Sequence, residues 1–387
     1  MTAWVRTRGV VASSYEARRP DLVLALALLL LGVLSVLMIY SASAPQAEVL
    51  GGDTVAEARR QAVIVFVGLA MFGLGSVAWH RSLHTAAPFL YVGAVISLWA
   101  VLLFGTVVNG AQSWFPVGSF RFQPSEWAKL AVILVLAAVL APAAEDRVGW
   151  RRVGLALLIL ALPVFLIARQ PDLGTLVVFG VLTLVMLFAA GASLRELGLI
   201  AGGGGLMSLF AYQRGWLGLV EVRIDAWLNP EKFALASAFQ TEQSKIAIGS
   251  GGFSGNGLFE GTQTNLAFIP EQTTDFIFTA VGEQLGFIGG ALLLTIYGVI
   301  VWRLLRTVAV AEDRFGMLVA TGVASMIAFH VFINVGMTLG LMPVTGIPLP
   351  FMSAGGSSFS AMALGLGVVH GIWLHRSKVP PRRRTLA

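Results

Sequence analysis

The sequence predicts an all-α polytopic membrane protein with about ten transmembrane helices and a long exterior loop between the seventh and eighth. Three observations carry this prediction. Of 387 residues, 57% are hydrophobic and 12% charged, with a mean hydropathy of +0.81, whereas a soluble globular protein carries about 25% charged residues. Uncharged runs long enough to cross a hydrocarbon core of about 30 Å recur along the whole chain. The Lys and Arg residues concentrate in alternate connections between those runs. A soluble enzyme and a disordered chain are excluded, and the absence of cysteine removes disulfides, thiolate metal sites and thiol nucleophiles.

The runs read as spans at 22–40, 61–78, 88–108, 127–144, 153–168, 173–190, 197–212, 276–302, 317–341 and 359–374. One membrane domain therefore fills 1–387. It comprises a cytoplasmic segment 1–21, helices one to seven within 22–212, an exterior loop 213–275, helices eight to ten within 276–374, and a basic cytoplasmic tail 375–387. The first span follows Arg18 and Arg19 and precedes Ser41-Ala42-Ser43-Ala44, as in a signal peptide. It exceeds the roughly 7–15 residues of a signal h-region, so it reads as an uncleaved anchor. The fifth span is short, and Gly202–Gly205 weaken the seventh while permitting close packing or opening there.

Orientation follows from the 26 Lys and Arg. The side of the N-terminus collects Arg6, Arg8, Arg18, Arg19, Arg81, Arg147, Arg151, Arg152, Arg195, Arg303, Arg306, Arg314 and the tail cations through Arg384. The other side has only Arg59, Arg60, Arg121, Lys129, Arg169, Arg214, Arg223, Lys232 and Lys245. The positive-inside rule puts both termini in the cytoplasm. Topology thus accounts for the basic charge of +6, and no nucleic-acid partner is expected.

Polar residues gather on the exterior side, in loops around 41–60, 109–126, 169–172, 213–275 and 342–358. A connection of about 60 residues is far longer than most and points to function. It has enough apolar residues to dock on the membrane interface or on the bundle, and 230–248 reads as an amphipathic helix. Its Gly249-Ser250-Gly251-Gly252 lacks the GxxxxGK[ST] order and a preceding strand, so turns explain it better than a nucleotide loop. His80 and His84 stand four apart without a carboxylate partner, which fits a solvated connection rather than a metal site. His330 and Asn334 share a helix face and predict an interhelical hydrogen bond.

Three features point further. Glu126 and Lys129 stand three apart at a span entrance and serve equally as a structural ion pair or as a cavity lining. Asp275 follows Thr274, which is expected to N-cap the eighth span and place Asp275 in its first turn. On spacing alone an ordinary acidic residue favoured by the helix dipole accounts for it better than a site. The uncharged, proline-stiffened stretch from Met342 to Phe351 is irregular backbone at membrane depth, tolerated only where it is buried or lines a cavity.

At these residues the sequence resembles the SEDS family of bacterial shape, elongation, division and sporulation proteins. The resemblance rests on Gly110-Ala111-Gln112, Phe122-Gln123-Pro124-Ser125-Glu126, Gln170-Pro171-Asp172-Leu173-Gly174-Thr175, Ser244 to Gly252, Gly261-Thr262-Gln263, Phe268-Ile269-Pro270-Glu271, Thr274-Asp275-Phe276-Ile277-Phe278 and Pro343 to Phe351. Gly261-Thr262-Gln263 is closer to the elongation branch than to the division branch. Ser113 and Ala354 depart from the usual pattern, where Arg and Tyr are common.

The resemblance implies a glycosyltransferase that polymerises lipid II, an undecaprenyl-pyrophosphate-linked disaccharide-peptide, on the outer face of the cytoplasmic membrane. It also implies a class B penicillin-binding protein as partner and Asp275 as the essential carboxylate. The reaction needs a base and cations for a leaving pyrophosphate. Asp275 is the expected base, and Arg60, Lys129 and Lys245 are the expected cations, with Arg59 weaker. Glu126 would orient Lys129, while Glu271, Gln263 and Asp172 would shape the cavity. A divalent cation bridging carboxylates and pyrophosphate is compatible with this set, but no motif demands one. The rival readings are a lipid-linked precursor flippase or transporter, and a non-enzymatic scaffold for the crosslinking partner.

Overall fold

Ten long helices follow one another close to the expected spans. The structure, a computed structural model, describes residues 19–376 apart from 79, 109, 119, 143–147, 217, 234–236 and 267. The basic residues expected at 6, 8, 18, 147, 378 and 382–384 lie outside the described residues.

The helices are α1 Leu22–Val49, α2 Ala56–Val77, α3 His80–Phe104, α4 Pro124–Leu140, α5 Trp150–Ala168, α6 Leu173–Ala189 and α7 Leu194–Gln213. Four shorter pieces follow: α8 Leu219–Leu228, a 3-10 turn Pro230–Phe233, α9 Ser237–Ser250 and α10 Thr262–Asn265. The last three long helices are α11 Ile277–Val310, α12 Arg314–Thr338 and α13 Gly356–Leu374. Among the described residues seven helices are long and apolar enough to cross a membrane by themselves; α6 is a shorter apolar helix.

The caps show why the helices start where they do. Side chains of Asp21, Asp172 and Asp313 accept from backbone amides in the first turns of α1, α6 and α12. Ser193 and Glu196 form a reciprocal capping box on α7, and Pro124 opens α4 at a position where no amide is missed.

Two expected boundaries are corrected. The third span was drawn to 108, but α3 stops at Phe104. Thr106–Val108 (β1), Ala111–Val117 (β2) and Phe120–Phe122 (β3) form a small antiparallel sheet. Val107 and Val108 extend the apolar run yet pair with Gln112 and Ala111 across a tight turn. The helix expected over 230–248 is instead the single 3-10 turn followed by α9. Pro230, which fixes its own φ and disfavours helix in the residue before it, comes just after the end of α8.

Packing centres on α12, which touches α4, α6, α9, α11 and α13, while α2 lies along α13. The helix α7 buries none of its residues, and nothing lies within 4 Å of where a Cβ would stand on Gly202–Gly205. The packing role expected for those glycines is therefore not seen.

One end of the bundle is tied by an ion pair. Arg303 on α11 donates from Nε to Asp21 Oδ2 at 2.7 Å, and both side chains are buried. Beside it, His370 accepts from the Asp21 amide and meets Ser76 at 3.0 Å, joining α2 and α13.

Near the other end α11 is broken. Gly286 has φ 63 and ψ −161, a region that essentially only glycine occupies. The backbone groups freed by the break pair with the segment after α9. Asn256 and Gly257 amides donate to the Glu283 and Gln284 carbonyls at 3.0 and 3.1 Å, and the Phe287 and Ile288 amides donate to Gly252 and Phe253 carbonyls at 3.0 and 3.1 Å. The long loop is thus laced into the helix, which satisfies backbone polar groups that lipid would leave unpaired. Ser244 on α9 adds hydrogen bonds to Thr279 on α11 and to the Thr338 carbonyl at the end of α12.

Candidate functional site

Asp275 stands two residues before α11 rather than inside it. The N-cap position is Phe276, which makes no side-chain cap bond, and the Thr274 hydroxyl turns back to the carbonyl and side chain of Glu271. The expected Thr274 cap and the first-turn place for Asp275 are both overturned. Pro270 and the turn through 271–275 hold the chain out of helical geometry, and the Asp275 amide donates to the Glu271 carbonyl at 3.0 Å.

The Asp275 carboxyl is half-buried and is pushed up to about 7. Burial is the main cause, the Glu271 carboxylate comes next, Arg223 pulls it down, and Asp172 adds a smaller upward push. The residues that surround it come from four separate elements. Asp172 caps α6 and accepts from the Thr175 amide and hydroxyl at 3.0 and 2.8 Å. The 345–347 loop rests on Gly174, where an added methyl would lie 2.6 Å from Ile347 and 2.8 Å from the Thr345 carbonyl. Gly346 takes φ 74, and a methyl there would stand 3.5 Å from Asp275 Oδ2 and 3.8 Å from Arg223 Nη1. Glycine thus gives the turn its left-handed conformation at the carboxylate.

Arg223 on α8 donates to the Thr345 carbonyl at 3.4 Å and lines a small cleft. The cleft runs between α8, α9 and the Gly340–Val344 stretch, and Lys245 and Glu242 also line it. Lys245 is half-exposed and pairs with Glu242 in the same helix. Arg223 is therefore shared between Asp275 and a cleft with a second cation, which suits an anionic group.

The other expected site residues are placed as follows. Lys129 is buried, 2.8 Å from Glu126 Oε1 and 2.9 Å from His330 Nε2 on α12, and does not line the cleft. Arg60 lies over the Phe120 ring at 5.7 Å. Phe120 belongs to a separate, mostly apolar groove with Ile64, Val67, Trp127 and Ser360. Arg59 is an exposed partner of Asp53. Glu271 flanks Asp275. Gln263 is on α10, where its amide donates to Glu283 Oε1 at 2.7 Å, and its own Oε1 is buried without a partner. Lys245 alone of the three expected cations lines the same cleft as Arg223. Among the described residues no group of three or more His, Cys, Asp or Glu is arranged to hold a metal ion.

Three contributors escaped the sequence. Arg223 was one cation among several in the long loop, and only the folding of α8 over the 342–346 stretch picks it out. Glu283 lies in α11, fully buried, and its carboxylate takes the Gln263 and Thr264 amides and the Thr264 hydroxyl. Gln272 then donates to that hydroxyl at 2.8 Å, which extends the chain of contacts toward Glu271. Asn334 was paired in expectation with a neighbouring helix, but its amide meets two main-chain carbonyls of the site loops.

A sequence profile described as that of cell cycle proteins, spanning FtsW, RodA and SpoVE, matches residues 21–378. The chain belongs to the FtsW/RodA/SpoVE family. It is 41% identical over 364 residues to stage V sporulation protein E of Bacillus subtilis, covering 90% of this chain and 96% of that protein. It is 37% identical over 368 residues to the peptidoglycan glycosyltransferase MrdB of Escherichia coli, covering 92% and 94%.

Two solved folds agree. A chain of a peptidoglycan synthase complex, in which polymerization and crosslinking are coordinated, superimposes with a TM-score of 0.78 at 30% identity, over 93% of this chain and 99% of that one. The rod shape determining protein RodA of Thermus thermophilus does so with a TM-score of 0.67 at 31% identity, over 92% and 96%. Membership in the FtsW/RodA/SpoVE family agrees with the polytopic all-α fold and with the motif residues Asp172, Glu271 and Gly346 that stand around Asp275.

Proposed function

We propose that this protein is a peptidoglycan glycosyltransferase that polymerises lipid II at the outer face of the cytoplasmic membrane during cell elongation, with Asp275 as general base. The observation that supports it most is that Asp275 and Arg223 both stand by Gly346, with Arg223 lining a cleft that also holds Lys245. The names of its relatives and its likeness to the synthase complex support the reaction class.

In this reading the 4-hydroxyl of an incoming lipid II attacks the anomeric carbon of the lipid-linked strand. The new glycosidic bond forms as the bond to pyrophosphate breaks. The hydroxyl proton passes to Asp275, and undecaprenyl pyrophosphate departs with the electron pair. A carboxylate pushed up to about 7 is matched to taking a proton near neutral pH. Arg223 and Lys245 face the charge that grows on the leaving group. Lys129, held by Glu126 and His330, acts as structure rather than as a phosphate contact. Both termini are cytoplasmic in this arrangement, which puts Asp275 on the exterior side. A class B penicillin-binding protein is the partner, crosslinking the strands made here.

Polymerisation of lipid II by the purified protein with that partner tests the assignment. Asp275→Ala and Asp275→Asn are expected to make no glycan while remaining folded. Parental rates from either folded variant would remove Asp275 from the mechanism.

A further inference from the structure

We infer that Asn334 is a positioning residue for the proposed base, because its side-chain amide fastens the main chain at Asp275 to the loop that carries Gly346. The inference rests on the reading of Asp275 as general base.

Asn334 is fully buried, near the end of α12 that faces the site. Its Nδ2 donates to the Asp275 carbonyl and to the Ile347 carbonyl, each at 2.8 Å. Both of its protons are therefore committed to two different loops. Its Oδ1 is buried with no partner. A buried acceptor left unpaired is unfavourable by about 1–3 kcal/mol. An apolar side chain would avoid that penalty, so asparagine at this place serves what its two donors hold.

What they hold is the geometry of the carboxylate. Asp275 precedes α11, whose N-cap residue Phe276 makes no side-chain cap bond. A second tie runs parallel to the first, from the Ala354 amide to the Thr273 carbonyl at 2.9 Å. The 271–275 turn is thus pinned to the 345–354 loop at Thr273 and at Asp275. The Asn334 bond is the one at the main chain of residue 275 itself, whose carboxylate stands by Gly346. One helical turn away on α12, His330 is fixed in turn by Lys129 and by the Met326 carbonyl. That contact steadies the stretch of α12 from which Asn334 projects.

The measurement is steady-state polymerisation of lipid II by the full-length protein with its partner, across pH 5.5–9. Parent, Asn334→Asp, Asn334→Leu, Asn334→Ser and Asp275→Ala are compared, each checked by thermal unfolding. Asn334→Asp keeps the shape but turns acceptor oxygens toward two carbonyls. Displacing a reacting group by about 1 Å can lower a rate by about a hundredfold. The expected result is a fall in kcat of about tenfold or more for the Asp and Leu variants, with KM for lipid II within about twofold of the parent. The acidic limb of the pH profile shifts, because the surroundings of the carboxylate change. Asn334→Ser retains one donor and falls between, and it carries the same test should the other two fail to fold.

Rates within twofold of the parent in the folded variants overturn the inference. So does a loss that merely follows the unfolded fraction with an unmoved acidic limb. An active Asp275→Ala overturns the base assignment and this inference with it. A silent Asp275→Ala beside fully active Asn334 variants overturns this inference alone.

Discussion

Lys129 on α4 holds its ammonium nitrogen 2.9 Å from Nε2 of His330 on α12. The Met326 carbonyl, 2.8 Å from His330 Nδ1, can only accept, so the ring proton sits on Nδ1 and Nε2 accepts from the lysine. With Glu126 at 2.8 Å the ammonium is enclosed by a carboxylate and an imidazole and is almost wholly out of solvent. These contacts are those of the structural ion pair, one of the two uses left open for the Glu126–Lys129 spacing. Removing one partner strands the other's charge in the interior, at a loss of about 3–5 kcal/mol. Lys129→Met is therefore expected to unfold at a markedly lower temperature in detergent. The double variant Glu126→Gln, Lys129→Met should recover part of the difference, and equal midpoints for the single and double variants would count against the pair.

Arg223 donates to the Thr345 carbonyl, and its positive charge holds the Asp275 carboxyl lower than burial alone would. Arg223→Ala removes the restraint. The acidic limb of the pH–rate profile should then move to higher pH. Affinity for the pyrophosphate-bearing substrate should weaken at the same time. Lys245→Ala, which alters the same cleft away from the carboxylate, should raise KM and leave the limb in place. Both readings come from initial rates over lipid II concentration and pH.

The span pattern was legible because lipid leaves hydropathy as the dominant local signal, and all ten helices lie near the runs that announce them. What that signal does not encode is who meets whom above the membrane. Asp275 stood out by its motif, yet Arg223 looked like any other loop cation until α8 folded across the 342–346 stretch. Glu283 was hidden inside an apolar run, where its burial is compensated by the Gln263 and Thr264 amides, a contact between segments that spacing cannot reveal. The β1–β3 sheet was missed for a related reason: Val107 and Val108 continue the hydrophobic run of α3, and only pairing with β2 marks them as strand.

The position of Asp275 near pH 7 also sets how stability varies with pH. An aspartate in the unfolded chain titrates near about 4, whereas in the fold this carboxyl is pushed up to about 7. The folded state therefore holds a proton that the unfolded state has released between those values. The stabilising contribution is complete below about pH 4 and is lost as pH rises through about 7. Above that, the ionised carboxylate opposes folding. Asp275→Asn removes the opposition, so it should unfold at a higher temperature than the parent at pH 8. Allowing for solvent screening, the gain is about 1 kcal/mol, or about 1 °C in a chain of this size. The difference should shrink toward zero at pH 4, as read by thermal scans in the same detergent at the two pH values.

Glycine-to-alanine exchanges should act with opposite signs in two helices. At Gly286 the backbone is in a conformation closed to alanine, and a methyl would lie 2.3 Å from the Gly255 amide nitrogen and 2.8 Å from the Phe253 carbonyl oxygen. Those atoms are main chain and cannot rotate aside. The laced segment would have to withdraw, which would free the Glu283 and Gln284 carbonyls and the Phe287 and Ile288 amides at once. Each buried group left unpaired is unfavourable by about 1–3 kcal/mol. Gly286→Ala is therefore expected to yield little folded protein. At Gly204, inside α7, the backbone is helical and nothing lies within 4 Å of the new methyl. There alanine relieves the entropic disadvantage of glycine in a helix, a gain of about 0.5–1 kcal/mol. Gly204→Ala should fold to at least the parental yield with a slightly raised unfolding midpoint. Detergent-solubilised yield, monodispersity and thermal midpoint compare the pair directly, and a well-folded Gly286→Ala would show that the break in α11 is not held by that glycine.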